Sequence, residues 1–179
     1  MPYIIFIRHA QKKYRNNKGP KGLPRHDPSL KEGMDKEILS KVSEYFDKYG
    51  PANKIYTSPF LRTRQTAQII KDDLSTNAML IVDKQLEEYL GFQKAFGQKA
   101  DLDQETSKYT DIRLGIENIH QLEKRAYNFY ENIKSSKENI LIITHGFFIT
   151  RLAKKLDFNI NYINELEGII IQKNNIKKL

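Results

Sequence analysis

The sequence predicts an α/β fold: a three-layer sandwich with a mainly parallel central sheet, helices on both faces, and a loop and helix insertion after the third strand. Three observations predict it. Continuously apolar runs at 3–7 and at 140–143, within a strand read at 139–144, suit strands buried on both faces. Between such runs lie stretches with apolar residues three and four positions apart, the period of amphipathic helices. Glycine and proline punctuate the alternation. Strands alternating with helices imply a largely parallel sheet covered on both sides.

In order, residues 3–7 are the first strand. Residues 10–30 carry three prolines, two glycines and many charges, and read as a long loop. A first helix at 31–49 places Met34, Ile38, Leu39, Val42, Tyr45, Phe46 and Tyr49 on one side and closes at Gly50-Pro51. Residues 54–57 form a second strand, and Ser58-Pro59 opens a helix to about residue 74, proline suiting a first turn. Residues 79–82 are a third strand. The insertion, about 84–115, is polar, aromatic and irregular. A helix at 117–134, a strand at 139–144, a helix at 147–156 and a strand at 168–172 complete the series. Neither an internal repeat nor an interdomain linker is visible, so 1–179 is expected to be one domain.

Composition narrows the classes. With 39% hydrophobic and 29% charged residues the chain is ordinary for a globular protein. No apolar run approaches the roughly 20 residues that span a bilayer. The amino terminus has no cationic lead or small-residue cleavage site, and a cytoplasmic location is expected. The absence of cysteine removes disulfides, thiolate nucleophiles and cysteine zinc sites. The net charge is +8. Most lysines read as a solvated surface, but Lys12, Lys13, Arg15, Lys18, Lys21 and Arg25 form an acid-free block suited to anionic ligands. The basic residues show no regular aromatic interleaving, so nucleic acid is not an expected partner.

Three segments carry the chemistry. Ile4-Ile5-Phe6-Ile7-Arg8-His9-Ala10 and Ile140-Leu141-Ile142-Ile143-Thr144-His145-Gly146 are apolar strands that end in histidine. Ligands of open α/β sheets bind beyond the carboxyl ends of strands, so both histidines are placed to meet in one pocket. Tyr56-Thr57-Ser58-Pro59-Phe60-Leu61-Arg62-Thr63-Arg64-Gln65-Thr66-Ala67 is a third strand end, feeding a helix with Arg62 in its first turn. Arg64 points elsewhere on that helix. His26 and His120 lie in polar surroundings and read as surface residues.

These residues resemble the histidine phosphatase superfamily, the phosphoglycerate mutase-like proteins. Arg8-His9-Ala10 is similar to the family's Arg-His-Gly signature, with alanine for glycine. The segment from Ser58 to Ala67 resembles its second motif and Thr144-His145-Gly146 its third. Asp27-Pro28-Ser29-Leu30-Lys31-Glu32-Gly33 resembles the Asp-x-x-Leu element before the first helix. The motifs occur in family order over about 3–150.

The resemblance implies that His9 is the nucleophile and that Arg8, Arg62 and His145 bind the phosphate. It also implies an acid on the loop after the third strand, often Leu-x-Glu. Leu86-Glu87-Glu88-Tyr89 fits with Glu88 as donor, while a Glu-to-Gly spacing of four selects Glu87 with Gly91; Glu88 is preferred. The chemistry is coherent. A neutral imidazole attacks phosphorus in line, guanidinium forks match phosphoryl oxygens, and a positioned donor stabilises developing charge. Neither a metal nor another cofactor is expected.

Cofactor-dependent mutases of the family carry Arg-His-Gly-Glu-Ser/Thr-x-Trp-Asn. Here the stretch is Arg8-His9-Ala10-Gln11-Lys12-Lys13-Tyr14-Arg15, which favours a phosphomonoesterase over a mutase. The presence of Arg8, His9, Arg62 and His145 together speaks against a noncatalytic phospholigand-binding module. The expected substrate is a phosphorylated small molecule or phosphoprotein with more than one anionic group. Tyr89, Phe92, Phe96 and Tyr109 could line a ring-accepting side, though packing the insertion is the commoner use. Oligomeric state is left open.

Overall fold

Strand β1 (Ile4–Arg8) lies near the middle of a six-stranded sheet because both its faces are apolar. In the computed structural model, which describes residues 2–13, 27–89, 117–173 and 175–179, the strand order is β3-β2-β4-β1-β5-β6. The other strands are β2 (Lys54–Thr57), β3 (Met79–Val82), β4 (Ile140–Thr144), β5 (Gly168–Gln172) and β6 (Asn175–Lys178). β1, β2, β3 and β4 pair in parallel, whereas β5 runs antiparallel to β1 and β6 antiparallel to β5.

Side chains alternate across the sheet and build two cores. Ile5, Ile7, Leu141 and Ile143 face α1 (Asp35–Tyr49) and α2 (Leu61–Leu74) through Ile38, Val42, Ala67 and Ile70. Ile4, Phe6, Ile140 and Ile142 face α3 (Ile119–Ile133) and α4 (Gly146–Lys155) through Leu122, Phe129, Phe148 and Leu152. This is the expected sandwich.

Three local readings are corrected. The first helix begins at Asp35 rather than 31, because Gly33 turns the chain with φ +75°. The second begins at Leu61, so Pro59 precedes its cap, Phe60, instead of standing in its first turn. The Ser58 N–H still bonds the Ile143 carbonyl at 3.0 Å, which keeps the chain on the sheet one residue past β2. The third is an added strand. β6 was not expected, since its residues are polar and mostly exposed, as suits an edge strand bearing Lys177 and Lys178. Of the insertion, 84–89 is described and begins with a short 3₁₀ turn at Lys84–Leu86. Phe92, Phe96, Tyr109, His26 and the basic residues from Arg15 to Arg25 lie outside the described residues.

Register places the site. Arg8 pairs with Thr144 and Thr57 with Ile143, so β1, β2 and β4 end at one rim. The next residues, His9, Ser58 and His145, therefore stand side by side there.

Candidate active site

His9 is buried, and its Nδ1 lies 2.7 Å from the Ala10 carbonyl oxygen. A carbonyl only accepts, so Nδ1 carries the proton and Nε2 the lone pair. That lone pair accepts from Arg62 Nε at 3.1 Å. Burial, then the Arg62 guanidinium, pushes the imidazole well below the usual histidine range, against the opposing Ala10 bond. His9 is neutral at pH 7. Alanine in place of the motif's glycine is tolerated: Ala10 is fully buried, is not among the residues with positive φ, and donates its N–H to Thr66 Oγ1 at 3.2 Å.

His145 is held in the other tautomer. Its Nδ1 accepts from Arg62 Nη2 at 3.3 Å, which leaves the proton on Nε2, 2.9 Å from Ser58 Oγ. Burial, then Arg62, pushes this ring well down too. The centroids of the two imidazoles are 5.3 Å apart, and Phe60 packs edge-on to His145 at 5.3 Å. Two rings so close can touch one phosphate.

Arg62, in the first turn of α2, joins the cluster while only 1% exposed. Its guanidinium lies 4.9 Å over the Phe60 ring, reaches Glu88 through Nη2, and has Asp27 3.6 Å from Nη1. Glu88 Oε2 is also 3.8 Å from His145 Nδ1. Of the two glutamates read from the sequence, Glu88 is the one whose carboxylate is shown in contact with this cluster. The backbone before it is pinned. Arg125 Nη1 donates to the Gln85 and Glu87 carbonyls at 2.6 and 3.0 Å, while Glu117 holds the same guanidinium bidentately at 2.8 and 2.7 Å. Thr144 Oγ1 adds a bond to the Leu86 carbonyl at 2.8 Å.

Arg8 stands beside the cluster, held by the loop between α4 and β5. Nη1 donates to the Ile163 carbonyl at 2.9 Å and Tyr162 Oη at 3.1 Å, and Nη2 to Glu165 at 2.9 Å. Arg8 and Glu88 line an open cavity of about 210 Å³ with Phe147, Thr150, Tyr162 and Ile163. A larger cavity, about 270 Å³, is lined by Tyr3, Tyr130, Lys134 and Ile171 and includes none of these groups. Burial lowers the Lys12 ammonium, opposed mainly by Glu88. Among the described residues no group of three or more His, Cys, Asp or Glu could hold a metal ion.

The roles of Ser58, Arg125 and Glu117 were missed by sequence reasoning. Ser58 belonged to a recognised motif, so a polar residue directly after β2 was the available signal. Arg125 looks like any helical surface arginine and gave none. His120 is exposed, as expected.

The family model described as histidine phosphatase superfamily, branch 1, matches residues 4–166. The chain belongs to the histidine phosphatase superfamily. A Hydrogenobacter thermophilus protein named "Putative phosphoserine phosphatase 2" is 31% identical over 160 residues, which cover 82% of this chain and 74% of that protein. Among solved structures, YhfR of Bacillus stearothermophilus is similar with a TM-score of 0.69 and 18% identity, covering 99% of this chain and 95% of that one. A phosphoserine phosphatase of Entamoeba histolytica, in complex with 3-phosphoglyceric acid, has a TM-score of 0.62 and 17% identity, covering 95% and 90%. Histidine phosphatase membership supports phosphatase or mutase chemistry in general terms. Among the described residues no helix is long and apolar enough to cross a membrane.

Proposed function

We propose that this protein is a phosphomonoesterase that works through a phosphohistidine on His9. The carrying observation is the His9 tautomer: Nδ1–H is committed to the Ala10 carbonyl, and a neutral Nε2 lone pair faces Arg62. In the first step the Arg62 Nε–H shifts its hydrogen bond from Nε2 to a phosphoryl oxygen. The freed Nε2 lone pair attacks phosphorus as the ester P–O bond breaks, and the leaving oxygen takes the Glu88 proton. In the second, water attacks phosphorus, Glu88 takes the water proton, and the N–P bond breaks to release inorganic phosphate. Arg62, Arg8 and His145 hold the phosphoryl oxygens as charge develops on them.

Hydrolysis is favoured over mutase transfer because Gln11, Lys12, Tyr14 and Arg15 stand where mutases carry Glu, Ser/Thr, Trp and Asn. The relative's name and the ligand of the Entamoeba protein make small phosphorylated carboxylic acids, phosphoserine first, the substrates to try.

The test is hydrolysis of p-nitrophenyl phosphate and phosphoserine at mildly acidic pH, with and without EDTA, by wild type and His9→Ala. We expect EDTA-insensitive turnover, lost in His9→Ala, and an acid-labile, base-stable phosphoryl label on the denatured wild-type protein. Equal, background rates for both proteins would support a noncatalytic phospholigand-binding module instead.

A further inference from the structure

The Asp27-Pro28-Ser29-Leu30 segment is built against α2, the helix that carries Arg62. Asp27 Oδ1 accepts the Leu61 N–H at 2.7 Å, at the first residue of α2, and lies 3.6 Å from Arg62 Nη1. The Leu30 N–H donates to Gln65 Oε1 at 2.8 Å, one turn further along α2. On its other side the segment is tied to the chain after β1, through Lys13 N–H to the Ser29 carbonyl and Lys31 N–H to the Gln11 carbonyl, each 2.9 Å. The Asp27 carboxylate is thus anchored from two directions, and its side chain is 0% exposed.

Arg62 therefore sits between two acids of unlike surroundings. Glu88 is 36% exposed and borders the cavity, whereas Asp27 is enclosed. If Glu88 serves a leaving group, it must loosen its hold on Arg62 during each turnover. Without a second carboxylate the charge of Arg62 would then face the neutral rings of His9, His145 and Phe60, and its aim at His9 would loosen. A second, enclosed carboxylate keeps its plane fixed, as supporting groups around catalytic residues do.

We propose that Asp27 is a positioning residue, whose buried carboxylate keeps Arg62 and the first turn of α2 aimed at His9 while Glu88 exchanges partners. This rests on the phosphatase reading. Asp27 touches neither substrate nor the reacting atoms, and acts through Arg62.

The experiment is steady-state hydrolysis by full-length wild type, Asp27→Asn, Arg62→Lys and the double variant, with thermal melts alongside. Asp27→Asn keeps an oxygen for the Leu61 N–H and removes the charge. We expect kcat to fall about 10- to 100-fold, the cost of a misplaced catalytic group, with KM for p-nitrophenyl phosphate within about threefold of wild type. In the Arg62→Lys background Asp27→Asn should change kcat little further, because a residue acting through Arg62 is not additive with it. Wild-type kcat in a folded Asp27→Asn, or two multiplicative losses, would overturn the proposal. Should Asp27→Asn not fold, Asp27→Ser, which also offers an oxygen to the helix start, is judged by the same criteria. If the wild type turns over no phosphomonoester, the phosphatase reading has failed separately. Asp27 is then judged by calorimetric binding of orthovanadate: tenfold weakening in Asp27→Asn supports the clamp, and unchanged affinity overturns it.

Discussion

Arg62 donates its Nε–H to His9 Nε2 at 3.1 Å while its Nη2 reaches Glu88, so a single guanidinium spans the attacking nitrogen and the acid of the proposed reaction. Lysine cannot reproduce this fork, having one compact charge and no planar donor pair. Arg62→Lys is expected to lower kcat by about a thousandfold, near the upper range for loss of one preorganised donor. Arg62→Ala should also destabilise the fold by about 3 kcal/mol, since it strips the buried Asp27 carboxylate of its cation. Steady-state kinetics and urea melts check the two effects independently.

The role of Glu88 is read from the leaving group. An alkoxide such as that of phosphoserine needs a proton to depart, whereas p-nitrophenolate leaves well without one. Glu88→Gln should lower kcat/KM, which reports the first step, about 100-fold or more for phosphoserine and about tenfold or less for p-nitrophenyl phosphate, while the shared second step slows kcat for both. Glu87→Gln should leave both rates near wild type. Equal losses of kcat/KM on both substrates in Glu88→Gln would remove Glu88 as the proton donor.

The two histidines couple pH to folding. Both are buried and held neutral, with folded pKa values pushed well below that of the unfolded chain, about 6.5. Above that pH neither state binds the extra protons, and the stability is fully present. As pH falls below it, the unfolded state takes up protons first, so stability declines towards the depressed folded values. The slope is about 1.4 kcal/mol per pH unit for each ring. Urea melts between pH 7.5 and 5 should therefore show a falling midpoint, and replacing His145 with Gln should lessen the slope. The acid limb of kcat/KM should lie well below pH 6.5, because His9 stays neutral there.

Ser58 Oγ accepts a hydrogen bond from the proton that Arg62 leaves on His145 Nε2. Ser58→Ala removes the acceptor at Nε2 and leaves a buried N–H unsatisfied, at a cost of about 1–3 kcal/mol. We expect Tm to fall and kcat to drop about tenfold. Nitrogen-detected NMR should show the Nε2–H tautomer kept, because Arg62 still donates to Nδ1, with the Nε2 resonance shifted by loss of its acceptor.

Most of the architecture was legible because it is written in period. The apolar runs of β1 and β4 and the three-four spacing of Ile38, Val42 and Tyr45 are direct consequences of burial. The rim was legible too, since three strand ends carry His9, Ser58-to-Arg62 and His145 in sequence. What stayed hidden depends on contacts between distant residues. Arg125 and Glu117 order the backbone before Glu88, and Tyr162, Ile163 and Glu165 hold Arg8. No local pattern encodes such pairings. β6 escaped because an exposed edge strand is polar and lacks alternation.

β1 is flanked by β4 and β5, whose residues come more than 130 positions later, and the guanidinium it delivers is gripped by residues 162–165. The first motif thus stays unmatched until the chain through β5 is available to pair with it. Such distant pairings slow folding. Gly168 sharpens the dependence, because a Cβ there would come within 1.7 Å of the Phe6 carbonyl oxygen, so only a glycine lets the late strand dock. The rim that carries Arg8 and His9 is therefore completed only when strands far along the chain have docked, and the amino-terminal half alone cannot assemble it.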